Sequence, residues 1–278
     1  MSRLLVFGMG YTASLLATRL EADGWRVIGT TRDGRGGSLR FDDADAVVAE
    51  IAAATHILSS VPPADGGDPV LVRYGRDLVR GGRWLGYLSS TGVYGDAGGA
   101  WVDEDAPTGG RRPPRTQADA DWLAIGARVF RLPGIYGPGR SALDRVREGK
   151  AHRVDLPDQV FSRVHANDIV AGVIAGFDGL AGAYNLADDH PCGQNAVMDY
   201  AASLLGLPPP PFVALDTLSP MARGFYAENR RVANGKAKRL LGWAPRYPDY
   251  RLGLRALSAT TSPAAVSTAP PAASADQR

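Results

Sequence analysis

The chain has 278 residues, of which 45% are hydrophobic and 22% charged, and its formal net charge is +2. This is the composition of an ordinary globular protein with one large or two unequal domains, and it gives no reason to expect nucleic acid or an anionic membrane as a partner. Cys192 is the only cysteine, which excludes an internal disulfide and a multi-cysteine metal site. No apolar run approaches the ~20 residues that span a bilayer. We therefore expect a cytoplasmic protein with no metal site.

The first thirty residues have the pattern of a nucleotide-binding unit. The apolar run at 4–7 is too short for a helix and predicts a buried parallel strand. A stripe of apolar residues at helical spacing follows, and then a second β-rich run at 25–31. The turn between strand and helix has G-x-G-x-x-A spacing, which lets the backbone approach a pyrophosphate closely. A purely structural glycine turn is the alternative. The predicted cofactor-binding residues of this turn are Gly8, Met9, Gly10, Tyr11, Thr12 and Ala13.

Strands alternate with helices up to about residue 138. Further strands are predicted at 38–41, 55–61, 84–89 and 128–132, and the connection before the first of these is too short for a full crossover helix. Such alternation predicts an α/β fold with a mostly parallel sheet, doubly wound as in Rossmann-type proteins.

The second half of the chain has a different pattern. Short helices and proline-rich loops predict a smaller C-terminal substrate lobe at 139–257, with a possible return to the Rossmann core at 1–138. The last apolar helix is predicted at 251–257. The segment 258–278 is mostly Ala, Ser, Thr and Pro, so we predict a disordered C-terminal tail.

Four stretches together resemble one family. Residues 7–13, 88–95, 131–139 and 164–169 are similar, in order and spacing, to motifs of the extended short-chain dehydrogenase/reductases, the group that includes NAD-dependent epimerases and dehydratases. The shortened glycine motif and the sequence Ser-Val-Pro-Pro at 60–63 most resemble its atypical YeeZ-like branch. The resemblance implies a bound NADP or NAD and a small-molecule substrate, and it is compatible with a homodimer.

The resemblance also implies roles for individual residues. Ser90, with Thr91, takes the place of the side chain that hydrogen-bonds the reacting oxygen. Pro133 lies where the family's chain passes the nicotinamide, and Asp42 matches the residue that contacts adenine. The other cofactor contacts implied are Ser60, Val61 and Pro62.

The end of the second strand bears on the choice of cofactor. NAD-binding units usually end this strand in an acidic residue that binds the ribose 2′-OH. Here the strand ends in Thr31 and Arg32, and an Arg at this place pairs with a 2′-phosphate. We predict NADP as the cofactor, with NAD as the alternative. If Arg32 does not bind a phosphate, it is a solvated side chain in a loop.

The family's catalytic pair is missing. Its base is a Tyr assisted by a Lys four residues later, whereas this chain has no Tyr between Tyr94 and Tyr136 and reads Pro-Arg-Thr-Gln-Ala-Asp at 114–119. Arg115 cannot act as a base because it stays protonated. The candidate proton donors are Tyr94, Asp119 or water. Two functions remain open: an oxidoreductase or epimerase with an altered proton-transfer apparatus, or a non-catalytic NADP(H)-binding sensor or binding module.

The second half of the chain offers weaker candidates. Nucleotide-sugar enzymes of the family carry a diphosphate-binding Arg where this chain has Phe161, and Arg163 is predicted on the opposite strand face. His165 is predicted to make a structural hydrogen bond rather than to act as a base. Asn167 and Asp168 are predicted to be an ordinary helix N-cap, with the family's lobe helix start as the alternative.

Overall fold

The computed structural model describes residues 2–261, which form eleven strands and ten α-helices. The strands are β1 Arg3–Phe7, β2 Arg26–Thr31, β3 Leu39–Arg40, β4 His56–Ser59, β5 Trp84–Ser90, β6 Trp101–Val102, β7 Arg128–Leu132, β8 Gly134–Tyr136, β9 Arg163–His165, β10 Gly182–Asn185 and β11 Arg231–Val232. The helices are α1 Tyr11–Ala22, α2 Ala44–Ala53, α3 Pro69–Leu78, α4 Pro113–Ala124, α5 Ala142–Arg147, α6 Ala166–Ala175, α7 Gln194–Leu204, α8 Pro220–Tyr226, α9 Gly235–Leu241 and α10 Tyr250–Thr261. None of the helices in this part of the chain is long and apolar enough to cross a membrane.

Seven strands form one parallel sheet in the order β10-β7-β5-β4-β1-β2-β3. The order reverses between β1 and β4, which creates the crevice at the carboxyl ends of the strands where such folds bind their ligands. A 3₁₀ turn at Arg35–Gly37 replaces the helix that would normally connect β2 to β3. The predicted α/β fold, with its doubly wound parallel sheet, is confirmed.

Alternating residues of each strand cover the two faces of the sheet. In β1, Leu4 and Val6 pack with α1 and α6 on one face, while Leu5 and Phe7 pack with α2, α3 and α4 on the other. All four side chains are at most 1% exposed. This two-sided burial explains why the strand reads as a continuous apolar run.

The residues after β7 build a lobe over the carboxyl edge of the sheet. Helices α5, α7 and α10 share a third apolar core, in which Leu143, Met198 and Leu254 are buried. β10 also comes from this half of the chain and adds the seventh strand to the main sheet. The lobe therefore closes one side of the crevice.

The C-terminal boundary differs from the prediction. The last helix, predicted at 251–257, is α10 and continues to Thr261, so residues 258–261 do not belong to a tail. The rest of the predicted tail, 262–278, lies outside the described residues.

Candidate functional site

A cleft of about 1190 Å³ lies between the carboxyl edge of the sheet and the lobe. Nine of the residues predicted from sequence line it: Gly10, Tyr11, Thr12, Ala13, Ser60, Pro62, Ser90, Thr91 and Pro133. Eight others are not among its lining residues: Gly8, Met9, Thr31, Arg32, Asp42, Val61, Tyr94 and Asp119. The glycine turn and Ser90 thus face one continuous space although 80 positions separate Gly10 from Ser90.

The turn after β1 is held by backbone contacts. Gly8 has φ +85°, and a Cβ there would lie 3.0 Å from Val61 Cγ2. Its N–H donates to the Thr30 carbonyl at 3.2 Å, and its own carbonyl accepts from Ser60 Oγ at 2.5 Å. Gly8 is therefore required by the positive φ and by close packing.

The start of α1 faces the cleft without a competing group. Gly10 is the N-cap and gives no side-chain cap, and the first turn holds no acidic residue. A Cβ added at Gly10 would meet nothing within 4 Å, so the space before the helix is open. Backbone N–H groups and the positive end of the helix dipole favour an anion at such a place.

The outer end of β2 is exposed to solvent. The Thr31 hydroxyl lies 2.8 Å from that of Ser38, and the Arg32 side chain is exposed. Asp42 accepts hydrogen bonds from the Arg40 guanidinium, the shorter at 2.9 Å, and these hold the pKa of the carboxyl below its usual value. Contact of Asp42 with adenine stays a prediction.

Ser90 ends β5 and is the N-cap of the 3₁₀ turn Thr91–Tyr94. Its Oγ accepts the Gly92 N–H at 3.1 Å, so its own proton is available for another acceptor. α4, which packs against β5 and the 3₁₀ turn, contains neither Tyr nor Lys and presents Arg115 to the cavity.

Tyr94 and Asp119 belong to a buried network, and neither is among the lining residues of the cleft. Asp119 forms a two-pronged ion pair with Arg131 and accepts from Ser89 Oγ at 2.6 Å. The Tyr94 hydroxyl donates to Asn185 Oδ1 at 2.8 Å and accepts from Arg131 at 3.0 Å. These hydrogen bonds join α4, β7 and β10, and proton donation by Tyr94 or Asp119 stays a prediction.

Three neighbouring buried polar atoms have no hydrogen-bond partner among the described residues: Tyr136 OH, whose residue lines the cleft, His165 Nε2 and Asp188 Oδ2. Burial lowers the pKa of His165 to about 4 and raises that of Asp188 to about 8. Both groups are therefore largely uncharged at neutral pH.

His165 makes the structural hydrogen bond expected of it. Its Nδ1 accepts the Asn167 N–H at 3.1 Å, which makes it the N-cap of α6. The prediction that Asn167 and Asp168 form the cap was wrong. The Asp168 carboxylate instead accepts the backbone N–H groups of Arg246 and Tyr247.

Arginine dominates the charge of the cleft wall. Seven arginines line the cavity against three acidic residues: Arg111, Arg112, Arg115, Arg140, Arg145, Arg163 and Arg230, with Asp144, Glu148 and Glu228. The prediction that Arg163 points away from Phe161 was wrong, because both side chains line the cleft, as residues two apart in an extended strand do.

Several lining residues of the lobe were not singled out from the sequence: Arg145, His152, Gln194 and Tyr226. They come from segments far apart in the chain, and no local motif marks them. Within residues 2–261, no three His, Cys, Asp or Glu side chains are grouped as a metal site requires.

The comparison with known proteins identifies the family. No protein-family model matches the chain. Protein YeeZ of Escherichia coli (strain K12) is 30% identical over 291 aligned residues, covering 90% of this chain and 97% of YeeZ. The 3-diazoavenalumate denitrifying reductase of a Streptomyces species is 30% identical over 176 residues, covering 55% of this chain and 58% of that protein.

Solved structures show the same architecture. A functionally unknown conserved protein from Silicibacter pomeroyi superposes with a TM-score of 0.83 at 41% identity, covering 94% of this chain and 99% of that one. MoeE5 in complex with UDP-glucose and NAD has a TM-score of 0.73 at 20% identity, covering 93% and 98%. Human epimerase family protein SDR39U1 with NADPH has 0.72 at 16%, covering 92% and 99%.

The sheet order and the lobe over its carboxyl edge define a Rossmann-type α/β protein with an additional C-terminal lobe. The chain belongs to the extended short-chain dehydrogenase/reductase family, in its YeeZ-like branch. The family predicted from the four sequence motifs is confirmed.

Proposed function

We propose that the protein is an NADP(H)-dependent oxidoreductase that reduces a carbonyl group of a small organic substrate. The observation that carries this proposal is the single cleft of about 1190 Å³ that joins the glycine turn to Ser90 and Pro133. It exceeds the ~300–1,000 Å³ of an ordinary ligand pocket, which suits a dinucleotide and a substrate together. The Streptomyces relative is named as a reductase.

The residues present fit a dinucleotide. The open space before Gly10 and the uncapped start of α1 suit the pyrophosphate. Thr12, Ser60, Pro62 and Pro133 line the same cleft, and the nicotinamide end would lie at Pro133. MoeE5 and the human protein were solved with NAD and NADPH, respectively. We infer NADP for this chain from Arg32, which is exposed at the end of β2 where a 2′-phosphate would come.

Ser90 is the residue we assign to the reacting oxygen. Its hydroxyl proton is available because Oγ accepts the Gly92 N–H and donates to no acceptor among the described residues. A nicotinamide would supply the hydride when bound, and Ser90 would stabilise the negative charge that develops on the substrate oxygen. Arg115 lines the same cleft and adds positive charge without serving as a base. With Tyr94 and Asp119 held in the buried network, we assign proton delivery to water.

A non-catalytic NADP(H)-binding module is the second candidate function. It is favoured by one observation: α4 offers the cleft neither a Tyr nor a Lys. If the protein is an enzyme in which water delivers the proton, replacing Ser90 lowers the rate of turnover. If it is a binding module, replacing Ser90 changes nothing that is measured.

The test is NADPH oxidation followed at 340 nm with a panel of small aldehydes and ketones. Ser90→Ala is expected to lower the rate by about 10²–10³, while NADPH affinity stays within about threefold. Ser14→Ala, on the exposed side of α1, is the matched control and is expected to match wild type. Tight NADPH binding with no oxidation for any carbonyl, and no effect of Ser90→Ala, would favour the binding module.

A further inference from the structure

Arg163 is a buried cation that faces the cleft without a carboxylate partner. Its side chain lines the cavity although the residue is only 7% exposed. Nη1 donates to the carbonyls of Phe161 and Cys192 and to Cys192 Sγ, and Nη2 donates to Gln194 Oε1 at 2.8 Å. All of these acceptors are neutral. Within residues 2–261, no Asp or Glu oxygen lies within 4.0 Å of the guanidinium.

The nearby carboxyl of Asp188 does not balance this charge. Burial raises the pKa of Asp188 to about 8, so the group is mostly protonated at neutral pH even with Arg163 nearby. A buried cation without a counter-ion is costly. A ligand that carries a negative charge into this corner of the cleft would offset that cost.

The donors left on Arg163 define the shape of that anion. A guanidinium has five N–H groups, and the contacts of Nη1 and Nη2 leave Nε and one Nη2 hydrogen without an acceptor among the described residues. Nε and Nη2 form the edge with which an arginine binds one carboxylate in two-pronged geometry.

An aromatic wall lies beside the same guanidinium. The Arg163 Cζ lies 5.9 Å from the centre of the Phe161 ring, and that ring meets Tyr226 edge to face at 5.6 Å. Tyr226, Arg145 and Arg163 all line the cleft. Burial raises the pKa of Tyr226, and the positive charges of the two arginines act against that rise. Arg145 lines the cleft from α5 and has no carboxylate partner in the described part of the chain.

We propose that Arg163, Arg145, Phe161 and Tyr226 form a subsite for the carboxylate of an aromatic acid. Arg163 binds the carboxylate through Nε and Nη2, Arg145 adds a second positive charge, and the substrate ring packs against Phe161 and Tyr226. The subsite rests on the proposed function, since it names the substrate class of the same cleft: an aromatic carboxylic acid whose carbonyl reaches Ser90.

The test is a binding measurement that needs no turnover. Dissociation constants of 4-formylbenzoate, its neutral analogue 4-formylbenzamide and UDP are measured by ligand-observed NMR, and NADPH affinity is measured in parallel. The wild type is expected to prefer the benzoate over the benzamide by about tenfold or more. Arg163→Gln is expected to abolish this preference and Arg145→Gln to reduce it about threefold or more. Arg147→Gln, on the same helix but not lining the cavity, is the matched control.

The outcomes separate this inference from the proposed function. A carboxylate preference that disappears in Arg163→Gln supports the subsite even if NADPH does not bind, in which case only the proposed function fails. Arg145→Gln keeps the test valid if Arg163→Gln does not fold. Equal or undetectable binding of benzoate and benzamide would overturn the subsite, as would a preference retained in both variants or tight UDP binding that requires Arg163.

Discussion

Arg131 and Asp119 form a two-pronged ion pair, with Nη2 to Oδ1 at 2.7 Å and Nε to Oδ2 at 3.1 Å. Their side chains are only 4% and 3% exposed. The pair joins α4 to β7, an interior strand of the main sheet, and the same guanidinium donates to the Tyr94 hydroxyl. Asp119 and Tyr94, which the sequence suggested as proton donors, are therefore both bonded to the buried Arg131.

Asp119→Asn is expected to act on stability. Removing one partner leaves a buried Arg131 uncompensated, which typically costs about 3–5 kcal/mol. We expect the melting temperature to fall by roughly 6 °C or more. Asp121→Asn, nearer the surface of the same helix, is expected to change stability by less than about 0.5 kcal/mol. A stable Asp119→Asn protein with a selective loss of turnover would return Asp119 to the catalytic residues.

The sequence predicted the half of the site that is encoded locally. A glycine turn after an apolar strand and a serine at a strand end are short patterns whose geometry follows from a few adjacent residues, and Gly10 and Ser90 do line the cleft. The roles of Asp119 and Tyr94 depend on partners 12 and 37 residues away. Whether their polar atoms are free to contact a substrate or are already hydrogen-bonded within the protein depends on tertiary packing.

The lobe side of the cleft was the least predictable part. Arg145, Gln194 and Tyr226 come from three separate helices, and no spacing in the sequence connects them. Arg163 was predicted on the strand face opposite Phe161, although residues two apart in an extended strand lie on the same face. The cap of α6 was assigned to Asn167 and Asp168 on residue preference, whereas the buried His165 takes that position and Asp168 fixes the loop at 246–247.

Arg32→Ala tests the choice of cofactor. A hydrogen bond to a charged group contributes roughly 1.5–3 kcal/mol, so the variant is expected to bind NADPH about ten- to hundredfold more weakly and NADH with little change. Arg35→Ala is the matched control, because its exposed guanidinium lies beside Asp33 at 3.9 Å. Equal affinities of the wild type for NADPH and NADH would contradict the assignment.

Asp188→Asn tests the buried carboxyl behind the cleft through pH. Burial raises the pKa of Asp188 from 3.8 to about 8, so the folded state keeps a proton that the unfolded state releases above about pH 4. The wild type therefore loses stability as pH rises from about 4 to 8, whereas Asn does not titrate.

The free energy of unfolding of Asp188→Asn relative to wild type should therefore increase across that range. We expect a change on the order of 2 kcal/mol, after allowing for relaxation around the ionised carboxylate. Urea unfolding at several pH values measures it. A difference that stays constant, or that decreases with rising pH, would show that Asp188 is ionised in the folded protein.

The two glycines of the turn are expected to respond differently to an added side chain. Gly8 has φ +85° and no room beside Val61, so Gly8→Ala should lower the melting temperature of the cofactor-free protein. Gly10 has φ −87°, and a Cβ there meets open space, so Gly10→Val should fold with nearly unchanged stability. Its side chain would instead occupy the place assigned to the pyrophosphate.

The central claim is that the cleft binds a dinucleotide at the start of α1. The most direct test compares the NADPH affinities of Gly10→Val and wild type, measured by the fluorescence of the bound nicotinamide. We expect saturable binding to the wild type and at least a tenfold weaker affinity in the variant, with equal melting temperatures for the two cofactor-free proteins. If the wild type does not bind NADPH, or if Gly10→Val binds it equally well, the cleft is not the dinucleotide site.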